Sequence, residues 1–185
     1  NGMLFSLRGS VCSYQGEELG LTEAPIEFEQ LQDPFGIAFW PMFKGRDGCR
    51  TPMVWEPSNA AGGFSEAKPW LPVASEHLTQ SVAAQEDDPS AMLHFYRTAL
   101  AFRAENSVLN KGDQSTVSAE GDVVMFDRFQ GITRLTCCIN LSDSAQEIAL
   151  SGQFEDIGGA VSDAARNDGI LKLNPWGVAI LRHAT

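Results

Sequence analysis

Lys44–Glu56 reads KGRDGCRTPMVWE. Two arginines, Arg46 and Arg50, and one aspartate, Asp47, fall within five positions, followed by Thr51-Pro52-Met53 and Trp55. The stretch has the texture of a loop, with Gly and Pro interrupting any period. It stands out in a chain of 24 acidic and 13 basic residues, with a formal net charge of −11. That balance argues against nucleic acid as a partner, since phosphate binding rests on clustered Lys and Arg. It argues equally against an anionic membrane surface. No apolar run reaches the roughly 18 residues of a spanning helix, and no basic-then-apolar signal peptide is present.

The cysteines and histidines point away from metal chemistry. Cys12 and Cys49 are far apart, Cys137 and Cys138 are adjacent, and His77, His94 and His183 are scattered. No C-x-x-C spacing occurs, so we expect no metal site and no cofactor, and reduced thiols in a cytoplasmic protein. Neighbours on a strand face opposite ways, so Cys137 and Cys138 should not share a site.

Outward from the opening stretch, the chain has three textures. Residues 1–20 read as the end of a helix (Met3, Leu4, Leu7) and then a short buried strand around Val11–Tyr14. Residues 21–87 show little periodicity and hold three of the four tryptophans and seven of the nine prolines. A structureless loop of this length in a compact domain is uncommon, and usually functional where it occurs. Asp88-Pro89-Ser90 is a helix start. Met92, Phe95, Tyr96, Ala99, Leu100 and Arg103 then recur at helical spacing, predicting a helix over 89–105.

Beyond residue 110 the pattern becomes β. Val123–Phe129 and Ile132–Asn140 flank Gln130-Gly131, a hairpin signal. Leu135, Cys137 and Ile139 alternate with Arg134, Thr136 and Cys138, as on a sheet with one buried face. Glu147–Leu150, Ile170–Leu173 and Val178–Arg182 are shorter strand candidates. The expected architecture is an α/β fragment (1–106) followed by an all-β antiparallel sandwich (107–185). One β/α unit cannot bury both faces of its strand, so residues 1–106 read as the end of something larger.

Tyr14-Gln15-Gly16-Glu17-Glu18-Leu19-Gly20, then Gly45-Arg46-Asp47 and Arg50-Thr51-Pro52-Met53 with Trp55, resemble the last β/α unit of glycoside hydrolase family 13. The likeness is to its α-glucosidase and oligo-1,6-glucosidase branch. Asn59–Phe64, Lys68–Val73 and the helix Leu93–Arg103 continue it, and residues 107–185 match the family's trailing β domain. The resemblance implies the end of a (β/α)8 barrel: last strand, long loop and last helix. It also implies that the Asp nucleophile, the Glu acid/base and the stabilising Asp lie on earlier strands. This chain would then carry no catalytic residue and be inactive alone, with the remaining N-terminal part of the barrel as its partner.

The same resemblance places Arg46 at the floor of the glucose pocket, with Asp47, Arg50 and Glu17 as support. Sugars carry no charge, so specificity comes from fixed donors, and a guanidinium offers five in a rigid fork. The bland alternatives remain open: Arg46 as a surface residue paired with Asp47, and Arg50 as a structural tie. Glu17 and Glu18 are neighbours and cannot both flank one glycosidic bond; one is expected to organise the loop. Trp40, Trp55 and Trp70 either stack on sugars or bury the loop, and Phe35 and Phe39 either line an outer subsite or pack. The implied function is a retaining exo-acting α-glucosidase acting on short α-glucoside oligosaccharides. A sucrose isomerase or glucosyl transferase of the same family, or a non-catalytic carbohydrate-binding module, is the alternative.

Overall fold

The computed structural model describes residues 1–155 and 164–184. Along the chain run α1 (Gly2–Ser6), α2 (Pro34–Phe39), α3 (Ser75–Leu78), α4 (Val82–Glu86), α5 (Met92–Glu105) and α6 (Ser107–Lys111). The strands follow: β1 (Asp113–Gln114), β2 (Ser118–Glu120), β3 (Val123–Gln130), β4 (Thr133–Asn140), β5 (Gln146–Ala149), β6 (Phe154–Glu155), β7 (Ala164–Asn167), β8 (Ile170–Leu173) and β9 (Val178–His183). Among the described residues no helix is long and apolar enough to cross a membrane.

The expected hairpin is the centre of the β region. Val123 pairs with Asn140 and Gln130 with Thr133, across a turn in which Gly131 takes a φ of 58°. The first sheet has the order β1-β3-β4-β9-β6, with β2 also on β3, and the second is β5-β8-β7. Every pairing is antiparallel. Alternation along β4 and β9 feeds two cores. Leu135, Cys137, Ile139, Val178 and Ile180 meet Phe5 of α1, Tyr96 and Ala99 of α5, and Leu109 of α6. Cys138, Ala179 and Leu181 meet Ile148, Leu171 and Leu173 of the second sheet. The two adjacent thiols thus face different cores, and burial pushes both up to about 12, which leaves them unreactive. One expectation changes: β4 is buried on both faces, not one, because helices cover one side and a second sheet the other.

α1 ends where its last carbonyls have no partner within the helix. Two buried arginines supply donors. Arg103 Nη1 donates to Phe5 O (2.6 Å) and Leu7 O (3.1 Å), and its Nη2 to Gly9 O (2.6 Å). Arg128, fully buried on β3, donates from Nη1 to Ser6 O (2.6 Å) and from Nη2 to Val108 O (3.1 Å) and Gly112 O (3.0 Å). Its Nε reaches Asp113 O at 3.3 Å. Burial pulls both guanidinium groups below their ordinary value.

Three expectations about the first half are corrected. Val11–Tyr14 is not a strand, and Cys12, Ser13 and Tyr14 are exposed. A parallel strand takes its hydrogen bonds from neighbouring strands, and neither sheet of the described residues includes this segment. The long helix starts at Met92, not residue 89. Asp88 Oδ1 accepts from Ser90 N (2.9 Å) and Ser90 Oγ (2.7 Å), closing a turn before the helix, while Gln85 Oε1 accepts from Leu93 N (3.0 Å). Residues 21–87 are not structureless: they carry α2, α3, α4 and short 3₁₀ turns.

The chain forms two compact units, one of Asn1–Cys12 with Phe95–Thr185 and one of Ser13–His94. The boundary expected at residue 106 falls inside the first unit. The expected β domain includes residues 156–163 and 185, which lie outside the described residues. The second unit has its own small cores, Leu19, Val54 and Leu93 in one and Ala24, Ile26 and Leu31 in the other.

Arg128→Ala strips buried carbonyls of their donor and opens a cavity, and should cost about 3–5 kcal/mol in urea unfolding. Arg128→Lys should recover little, because one ammonium cannot span carbonyls on several segments. Stability within about 1 kcal/mol of wild type for Arg128→Ala would sink this account.

Candidate functional site

Within the Ser13–His94 unit, the YQGEELG stretch folds into a 3₁₀ turn over Glu17–Leu19, framed by Gly16 (φ 92°) and Gly20 (φ 70°). Glu18 Oε2 accepts from Gly16 N at 2.8 Å and Glu17 Oε2 from Tyr14 N at 3.3 Å. Both carboxylates organise the turn, where one was expected to. Gln85 Nε2 donates to Leu19 O at 2.9 Å, locking the turn to α4. Gln15 Nε2 donates to Thr51 O at 3.1 Å, joining this turn to the RTPM segment.

The arginine-bearing loop is built on two buried aspartates. Asp47 is fully buried. Its Oδ2 accepts from Gln32 N and Asp33 N, both at 2.7 Å, and its Oδ1 has no hydrogen-bond partner and lies 4.0 Å from Arg50 Nη1. Asp33 caps α2, its Oδ1 accepting from Phe35 N (3.0 Å), while its Oδ2 accepts from Arg46 N (3.1 Å). The same Oδ2 lies 3.9 Å from Arg46 Nε and 3.9 Å from Arg50 Nη1. The Phe35 N–H holds the Asp33 carboxyl below its ordinary value; burial opposes this, and the Arg46 N–H with the Arg50 and Arg46 guanidiniums reinforces it.

The four groups have distinct parts. The carboxylates turn inward and gather backbone N–H groups. The guanidiniums stay outside hydrogen-bond distance of them, with side chains 72% (Arg46) and 38% (Arg50) exposed. Their donor forks are open to a polyhydroxylated ligand. The carboxylate beside Arg46 among the described residues is Asp33, from its own loop. Asp33 and Gln85 were not singled out from the sequence. Asp33-Pro34 carries the same helix-start signal that was read at Asp88-Pro89. Gln85 carries no local signal, because its partners lie 66, 8 and 5 residues away.

Of the aromatic residues, Trp40 packs against the Ala24–Ile26–Leu31 cluster, whereas Trp55 and Trp70 are exposed. Among the described residues no group of three or more His, Cys, Asp or Glu could hold a metal ion.

Comparison with known proteins bears on this arrangement. The family description "Alpha amylase, catalytic domain" matches residues 1–112. A probable alpha-glucosidase of Rhizobium meliloti (strain 1021) is 48% identical over 184 residues, covering 98% of this chain and 33% of that protein. The crystal structure of an alpha-glucosyl transfer enzyme superposes with a TM-score of 0.93 at 43% identity, over 99% of this chain and 34% of that one. An isomaltulose synthase from Erwinia rhapontici NX5 shares the fold, with a TM-score of 0.81 at 22% identity, over 100% and 37% of the two chains. The chain thus spans about a third of the length of the relatives it matches.

Asp33 makes the loop pH-sensitive with a defined sign. Its folded-state value is depressed, so its stabilisation is complete above the unfolded value of about 3.9 and is lost as pH falls through the folded value. Asp33→Asn should be less stable than wild type at pH 7. The gap between the two urea midpoints should narrow on acidification below about pH 5. Parallel curves for the two proteins would remove Asp33 from this role.

Proposed function

The chain belongs to the alpha-amylase family, and from that premise we propose that it is the C-terminal part of a retaining, exo-acting α-glucosidase that hydrolyses short α-glucoside oligosaccharides. The observation that carries this reading is the 48% identity, over 98% of the chain, to a relative named as a probable alpha-glucosidase. In this reading residues 1–106 belong to the end of a (β/α)8 barrel whose strands lie outside the strands described here. Active sites of such barrels are built by the loops at the C-terminal ends of the strands, and residues 15–87 are one such loop.

The chemistry divides accordingly. A retaining mechanism needs a nucleophilic carboxylate and an acid/base carboxylate about 5 Å apart. Those two groups come from the rest of the barrel, and these 185 residues alone are inactive. Arg46 contributes hydrogen bonds to a hydroxyl of the non-reducing glucose, with Asp47, Arg50 and Glu17 fixing the loop around it. Hydroxyl contacts raise the rate only where they tighten on reaching the transition state. The Arg46 N–H bond to Asp33 fixes the stretch of backbone from which the guanidinium reaches the sugar.

Glucosyl transfer is the second reading, favoured by the 43% identity over 99% of the chain to an alpha-glucosyl transfer enzyme. Transfer and hydrolysis share the glycosyl–enzyme intermediate and differ in whether a hydroxyl compound or water attacks it.

In the full-length protein, maltose should yield free glucose as the main early product; a predominance of longer glucosides would favour transfer, and no turnover would reject both readings. Arg46→Ala should lower kcat/KM by roughly 10²–10³-fold, with Arg46→Lys recovering little. Arg50→Ala should mainly lower Tm. A folded Arg46→Ala protein with near-normal kcat/KM, beside an Arg50→Ala protein that has lost it, would exchange the two assignments.

A further inference from the structure

The Ser13–His94 unit contains a cavity of about 110 Å³ whose walls include Glu17, Glu23, Cys49 and His77. His77 is the unusual member. It lies in α3 and is 1% exposed, yet neither of its ring nitrogens has a hydrogen-bond partner among the described residues. Buried polar side chains are almost always partnered. The imidazole therefore calls for a polar group that enters the cavity from outside the fold.

Two features define what that group is. The first is charge. Ala24 N donates to Gly48 O at 3.0 Å, which lays the Glu23 segment against the residue before Cys49. A Cβ at Gly48 would lie 2.6 Å from Glu23 Cγ and 3.2 Å from Glu23 Oε1, so this carboxylate sits directly beside the cysteine's backbone. Glu17 adds a second carboxylate to the walls. Arg50, the next residue after Cys49, directs its guanidinium toward Asp33 and Asp47. Carboxylates attract a cation and repel an anion, and a neutral imidazole offers one acceptor nitrogen in either tautomer. The second feature is the thiol. Cys49 is exposed to solvent as well as part of the wall, whereas Cys137 and Cys138 are buried. A cavity of about 150 Å³ takes one benzene ring, so this smaller one suits a short side group and not a tripeptide.

We infer that Cys49 is a thiol-modification site for small aminothiol disulfides, with the ammonium group of the adduct seated in the cavity against His77 and the carboxylates of Glu17 and Glu23. The step is thiol–disulfide exchange. The Cys49 thiolate attacks one sulfur of the disulfide, the old S–S bond breaks, and a new one joins Cys49 to one aminothiol. The other aminothiol leaves as thiolate and takes up the proton that Cys49 lost. Cys49 is oxidised and the released half is reduced. The step involves no sugar, so its test stands apart from the α-glucosidase reading.

The test uses the full-length protein with two probes, cystamine and glutathione disulfide, and reads adducts at each cysteine by peptide mass mapping. At Cys49 the rate ratio of cystamine to glutathione disulfide should be about tenfold higher in the folded protein than in urea. Cys12, the other exposed thiol, should show no such gain. Glu23→Gln and His77→Leu should each lower the folded-state ratio at Cys49 by about threefold. If His77→Leu does not fold, Glu23→Gln, at an exposed position, decides alone. A ratio equal to that in urea makes Cys49 merely an exposed thiol and overturns the site. So does a ratio that neither substitution changes. A Cys49 that reacts with neither probe in the folded protein is covered by the rest of the chain, and that overturns it too.

Discussion

Irregular backbone can be buried only if its polar groups find partners, and much of this chain depends on charged side chains to provide them. In the β-containing unit the need is for donors. α1 has five residues, too few to satisfy its own ends, and its final carbonyls point into the protein. The guanidiniums of Arg103 and Arg128 take them up, each from about 100 residues away in sequence or further. Arg128 also collects the carbonyls that end α6. A planar fork can serve several carbonyls on different segments at once, which no pair of neutral side chains at one position could do. These bonds offset a large desolvation cost, and the asymmetry of buried hydrogen bonds makes them costly to lose.

The long loop answers the same need with the opposite charge. Here the unpaired groups are backbone N–H donors, and Asp33 and Asp47 gather them. With the carboxylates committed to backbone, the guanidiniums of Arg46 and Arg50 are drawn near them electrostatically without being consumed. The four arginines thus fall into two kinds. Arg103 and Arg128 spend their donors on carbonyls inside the fold, while Arg46 and Arg50 keep theirs free. Available donors are what recognition of an uncharged, hydroxyl-rich ligand requires. The loop's shape follows from its aspartates, and its proposed function from its arginines.

The same economy explains the apolar helix beside the arginines. α2 starts at an Asp-Pro cap and packs through Gly36. Only a glycine allows the helix backbone to approach the Lys44 carbonyl so closely, so the contact face is backbone and the remaining faces carry Phe35, Ile37 and Phe39. A larger residue at position 36 would push the helix away from the Lys44–Gly45 backbone.

Elements decided by local pattern were legible in the sequence. The hairpin around Gln130-Gly131, the strand Ile170–Leu173, the opposite orientation of Cys137 and Cys138 and the body of α5 all follow from period and turn chemistry, which act over a few residues. The motif residues that mark the family were equally readable, because they are contiguous. What the tertiary structure decided was everything set by partners distant in sequence. Val11–Tyr14 is apolar enough for a strand, but strand formation depends on neighbours that no local pattern reveals. β4 looked half-buried because alternation reports one face, while the second sheet that covers the other is assembled from β5, β7 and β8. Asp33 sits in an Asp-Pro pattern like that of Asp88 and is also the anchor of Arg46; Gln85 lies in a stretch of little periodicity and holds two segments together. Local chemistry sets which conformations a segment can take, and long-range hydrogen bonding and burial select among them.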